Sequence, residues 1–183
     1  MPEAQVDRFM LKVLVGYPTA TEEFVIVERM TSALQAVQRV LTTDQLIHLQ
    51  GQADAVYVDP KLMEYAVALV SATRNPETVG QRGLSQYVSF GASPRASINL
   101  ILAAKALAFV RGRSYALPQD VRDLALDVIR HRMVLSYEAL ADNVSSDDIL
   151  NQILGAVTMP EVPLHERAIQ PDHIHTGTGT ATT

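Results

Sequence analysis

The sequence predicts a mainly α-helical chain, a helical bundle preceded by a single β-strand. Three observations carry that expectation. Apolar residues recur at helical spacing from Thr19 to Val157. Helix-start signals stand in front of most of those stripes. One short stretch near the N-terminus, "RFMLKVLV", has strand character, and nothing later resembles a partner for it.

In that stretch Phe9, Leu11, Val13 and Val15 alternate with Met10, Lys12 and Leu14, as in a strand covered on both faces, and "GYP" ends it. Thr19 and Glu22 form a capping box before the stripe Val27, Met30, Leu34 and Val37. Thr42 and Gln45 repeat the signal before Leu46, Leu49, Ala53 and Val56. Asp59 caps a third helix with Pro60 in its first turn and Leu62, Ala66, Leu69 and Val70 facing inward. A loop with glycines at 80, 83 and 91 leads to a helix from Pro94 to about Arg111. It is apolar nearly all round, so it belongs at the centre of the bundle. "PQDVRDLALDVIRHR" follows, with Val121, Leu124, Ala125 and Val128 as its stripe. A last helix starts near Ser145 and carries Ile149, Leu150, Ile153, Leu154 and Val157. After Pro160 apolar content is too low to pack, which predicts a flexible tail over 161–183.

The 183 residues suffice for one domain with appended segments, and 48% are hydrophobic. The formal net charge of −5 argues against wrapping nucleic acid, so no nucleic-acid partner is expected. No apolar run approaches a membrane span, and "MPEAQVDRF" lacks the basic start and apolar centre of a signal peptide. The expectation is a cytoplasmic protein with no membrane partner. There is no cysteine, hence no disulfide and no thiolate metal site.

Chemistry concentrates at "SFGASPRAS". Ser93 is a suitable N-cap, Pro94 suits the first helical position, and Arg95 falls in the first turn. There the free N–H groups favour an anion over a cation. Either Arg95 extends into solvent, or it and the helix start converge on something negative such as a phosphate. His131, in "RHR" at a helix end, reads as a group capping carbonyls rather than a catalyst. Asp147 and Asp148 suit a helix N-terminus. His173 and His175, with His165 nearby, could hold a transition metal only loosely, and no metal site is assigned.

Taken in order, "PEAQVDRFMLKVLVGYP", "VYVDP" and "GASPRASINLILAAKALAFVRGRSYALPQDVRDLALDVIRHRMVLS" resemble the C-terminal part of MoxR-type AAA+ ATPases, from Pro2 to about Pro160. The resemblance implies three parts: residues 1–18 from the end of the ATPase core, a helical lid over 19–160, and the tail. It implies that Arg95 is the sensor 2 arginine reaching the phosphates of ATP, with Ser93 and Pro94 beside it. It implies that Arg8, in "EAQVDRF", is an arginine finger for the neighbouring subunit's ATP; the other reading of Arg8 is an ion pair with Asp7 or Glu3. It further implies ATP and Mg²⁺ in the complete protein, a homo-oligomeric ring taken as a hexamer, and a chaperone-like role in maturation or assembly of other proteins. The remainder of the AAA+ core and a von Willebrand factor A domain protein are the implied partners.

Two departures stand out. No G-x-x-x-x-G-K-[ST] occurs, so this chain alone should neither bind ATP tightly nor hydrolyse it, as a piece of a longer protein or a truncated frame. The family's Thr or Ser before the next helix is Leu117 here, a missing cap expected to cost about 1 kcal/mol. The alternative function is a stand-alone helical interaction module without ATPase activity. The orphan strand is expected to be disordered or to pair with another copy of itself.

Overall fold

A computed structural model describes residues 3–33 and 36–161. His165, His173 and His175, in the expected flexible tail, lie outside these residues. So does Leu34.

Four long helices and a terminal one make the packed body. Helix α3 (Thr43–Asp54) starts at the Thr42/Gln45 capping box, and α4 (Pro60–Arg74) starts at Asp59, whose carboxylate accepts from Lys61 N–H at 2.8 Å. Helix α5 (Pro94–Val110) buries Ala96, Leu100, Ala103, Ala104 and Ala108, and this run of small residues lets neighbouring helices approach closely. It packs against α3, α4 and α6 (Pro118–Ile129). Helix α8 (Ser146–Ala156) covers α4 and α6 with Ile149, Leu150, Ile153 and Leu154, and a one-turn helix α7 (Tyr137–Ala141) precedes it. One side of α5 remains open, with Ile98 and Leu102 exposed, so α5 is less enclosed than its composition suggests.

Two antiparallel strands, β1 (Val88–Phe90) and β2 (Val134–Leu135), pair at Val88↔Leu135 and Phe90↔Val134. They bring the segment before α5 next to the segment after α6. A parallel bridge joins Tyr57 to Tyr115, with Tyr57 N–H on the Ser114 carbonyl and Ala116 N–H on the Tyr57 carbonyl, each at 2.9 Å. The VYVDP segment is thereby fixed to the α5–α6 connection.

The N-terminal region departs from expectation. A four-residue helix α1 (Glu3–Val6) comes first. No strand forms over 8–15: residues 7–10 turn, and 11–19 have no regular structure. A strand needs a ladder partner, and among the described residues there is none. The segment is nevertheless ordered against the lid, with Lys12 N–H on the Asp127 carbonyl at 2.8 Å, contrary to the expected disorder or self-pairing. Helix α2 (Ala20–Thr31) has its Thr19/Glu22 capping box but buries nothing, and Val37 lies beyond its end, fully exposed. Helix α3 has no buried residue either, but it packs along α5, and the buried core begins at Val56.

Candidate functional site

Three segments meet at the start of α5. The first is the turn itself. Gly91 passes so close to α4 that an added Cβ would sit 2.5 Å from the Thr73 carbonyl oxygen and 2.6 Å from Arg74 N. Ala92 N–H donates to Thr73 Oγ1 at 2.9 Å, and that hydroxyl donates to the Val70 carbonyl at 2.6 Å. The glycine is required by this close approach. As a result, the position of Ser93 and Arg95 is set by the C-terminal turn of α4.

Ser93 then caps α5 as expected: its Oγ accepts from Arg95 N–H at 3.3 Å, with Pro94 in the first turn. The Ser93 hydroxyl also faces Asp7, at 2.9 Å from Oδ1 and 3.1 Å from Oδ2. Arg95 Nη1 donates to Asp7 Oδ2 at 2.9 Å, while the Arg95 side chain stays 57% exposed. The helix start and its arginine do converge on an anion, and here that anion is a carboxylate of the same chain. Burial pushes the Asp7 carboxyl upward, but hydrogen bonds from Ser93 and Arg95 and the charge of Arg132 outweigh it and hold it below its ordinary value.

The third segment is the single 3₁₀ turn Arg130–Arg132 that follows α6. Arg132 is buried, and its Nε lies 3.3 Å from Asp7 Oδ1. His131 does meet a carbonyl, as its capping role predicted, but that of Phe9, at 3.0 Å from Nε2. Burial, together with the neighbouring positive charges of Arg132 and Lys12, shifts His131 below its ordinary value despite that bond. An open groove of about 520 Å³ runs beside Asp7, Ser93, His131 and Arg132.

Arg8 is exposed, and no ion pair of its side chain occurs among the described residues. Asp7, one of its two expected partners, is engaged by Ser93, Arg95 and Arg132 instead. Asp148 does serve its helix N-terminus through a reciprocal box with Ser145, whereas Asp147 pairs with Arg130 Nε at 3.0 Å. Among the described residues no three His, Asp or Glu side chains are grouped to hold a metal.

Sequence reasoning missed Asp7, Arg132 and Asp120. Asp120 is fully buried at the start of α6, where it accepts from both Nη atoms of Arg113 at 2.8 and 2.6 Å, from Arg111 Nη1 at 2.8 Å and from Leu117 N–H at 2.8 Å. Leu117 has no side-chain acceptor, so Asp120 supplies only the reciprocal half of a capping box, accepting the N–H of Leu117. The spacing from Arg111 and Arg113 to Asp120 was visible, but a bidentate pair with a buried carboxylate has no local periodic signature.

The family described as AAA lid domain matches residues 83–153, the stretch that holds Ser93, Arg95, Asp120 and Arg132. Chaperone MoxR1 of Mycobacterium tuberculosis is 46% identical over 162 residues, covering 88% of this chain and 43% of the relative. The chain carries a MoxR-type AAA+ lid domain. Protein MoxR of Paracoccus denitrificans is 34% identical over 148 residues, covering 74% of this chain and 44% of the relative. A crystal structure from Cytophaga hutchinsonii, named as a candidate ATPase, superposes on the lid-bearing chain with a TM-score of 0.84 at 36% identity, covering 88% of this chain and 49% of that one. The chain spans about half the length of the relatives it matches. No helix among the described residues is long and apolar enough to cross a membrane.

Proposed function

We propose that this lid completes an ATP-hydrolysis site in a ring of AAA+ subunits, with Arg95 as the sensor 2 arginine and Arg8 as the arginine finger. The single observation that supports the pairing is the Asp7–Arg95 contact at 2.9 Å. Arg8 follows Asp7 directly, with a Cα about 3.8 Å further along the chain. Both long, exposed cations therefore start from one neighbourhood of the lid. If Arg8 serves the adjacent subunit's nucleotide, Arg95 is placed to serve the same phosphates.

The residues suit that task. The first turn of α5 offers N–H groups capped by Ser93, Pro94 fixes its entry, and the guanidinium of Arg95 is free to exchange one oxyanion for another. Arginines aimed at a transferring phosphoryl group stabilise charge that develops in the transition state. The phosphate-binding loop and the carboxylates for Mg²⁺ are missing from this sequence, so both belong to the rest of the AAA+ core. Exposed Val13, Leu14, Val15, Phe24 and Ile26 call for cover, which the rest of the AAA+ core would provide. A chaperone-like role follows the name of the Mycobacterium tuberculosis relative. A hexameric ring, a von Willebrand factor A domain partner and a cytoplasmic location remain parts of the proposal.

The test is steady-state ATP turnover by the complete protein. Arg95→Ala and Arg8→Ala should each lower kcat by about tenfold or more without changing the melting temperature by more than a few degrees. Unchanged turnover in both would remove the assignment.

A further inference from the structure

The lid buries one arginine side chain completely, that of Arg132. A guanidinium carries five N–H donors, and burying it is costly unless acceptors surround it. The lid offers the Val128 carbonyl to Nη1. Every other partner comes from residues 7–10. Nη2 donates to the carbonyls of Asp7, at 3.2 Å, and Phe9; Nη1 reaches the Met10 carbonyl at 3.3 Å. Nε forms the ion pair with Asp7. Two of these carbonyls stand immediately before and after Arg8. The turn holds the same segment at two further points, through His131 Nε2 on the Phe9 carbonyl and Arg130 Nη1 on the Lys12 carbonyl at 3.2 Å.

We propose that Arg132 is a positioning residue for Arg8. Its buried fork fixes the backbone on both sides of Arg8 while leaving that side chain in solvent, so the lid sets where the arginine finger points. Movement of the lid would then carry Arg8 and Arg95 together. The proposal rests on the reading of Arg8 as an arginine finger.

The complete ATPase tests it with Arg132→Lys, Arg8→Ala and the double variant. Lysine keeps the charge but loses the planar fork. The expected result for Arg132→Lys is a kcat about tenfold lower, a KM for ATP within about twofold of the parent, and a melting temperature within a few degrees. Amides of residues 9–12 should exchange faster. The double variant should be no slower than Arg8→Ala alone, because both changes disable one unit. Parental kcat in Arg132→Lys, multiplicative losses in the double variant, or a melting temperature lowered by more than about 10 °C would each overturn the proposal, the last by assigning Arg132 to lid stability. Parental kcat in Arg8→Ala would instead remove the finger reading itself.

Discussion

Asp7 Oδ2 lies 2.9 Å from Arg95 Nη1 across 88 residues of sequence, and the same carboxylate accepts from the Ser93 hydroxyl that caps α5. A helix N-terminus with an arginine in its first turn favours an anion, and the chain supplies one from the segment that carries Arg8. The contact ties the segment that carries Arg8 to the turn that carries Arg95.

Removing that charge loosens the coupling without unfolding the lid. Asp7→Asn should cost about 1–3 kcal/mol: the pair with exposed Arg95 contributes little, but the buried Arg132 Nε loses its charged partner. It should also speed hydrogen exchange at Lys12, whose N–H bonds to Asp127. Exchange mass spectrometry at pH 7 checks this. Unchanged protection would mean that Arg132 holds the segment without Asp7.

Asp120 is the electrostatic keystone between α5 and α6. Asp120→Ala should destabilise the lid by about 1–3 kcal/mol, because the Leu117 N–H and the partly exposed Arg113 and Arg111 lose their shared acceptor. Burial raises the Asp120 carboxyl, but the bonds from Arg113 and Leu117 N–H prevail and hold it below its ordinary value of 3.8. A depressed carboxylate contributes fully above the unfolded value and loses that contribution as pH falls through the folded value. Urea midpoints should therefore fall below about pH 4 in the parent, and less steeply in Asp120→Asn.

Gly91→Ala tests how the α5 start is positioned. The new Cβ would meet backbone atoms of Thr73 and Arg74 rather than a flexible side chain, so the turn must move. A loss of about 1–3 kcal/mol is expected, together with lower ATP turnover in the complete protein. Unchanged stability and turnover would show that the turn accommodates a methyl group.

The chain by itself should turn over no ATP above a buffer blank, since it contains no phosphate-binding loop. Turnover that disappears in Arg95→Ala would contradict this.

Legibility in the sequence followed the range of the interactions. Helices α3 to α6 and α8 were readable because stripes such as Leu62, Ala66, Leu69 and Val70, and caps such as Ser93, act within a few residues. Periodicity names an apolar face but not what covers it. Val27 and Met30 therefore read as core, yet both are exposed. The same limit applies to Arg8–Val15, whose alternation suits a strand but cannot supply the ladder. Strands β1 and β2, of three and two residues, are too short to show a period. Of the site, Ser93, Pro94 and Arg95 were legible locally and through the resemblance. Asp7 and Arg132 were not, because 125 residues separate the Arg132 Nη2 donor from its Asp7 carbonyl acceptor.

Mixing subunits measures the central claim most directly. One variant of the complete ATPase would carry Arg8→Ala and Arg95→Ala, and the other would lack only the phosphate-loop lysine of the core. If both arginines serve the neighbour's nucleotide, mixed rings contain junctions with one intact loop and two intact arginines. Turnover should then rise to at least about a tenth of the parent, although each variant alone is inactive. Mixed rings as inactive as the separate variants would contradict the shared placement of Arg8 and Arg95 on one neighbouring site.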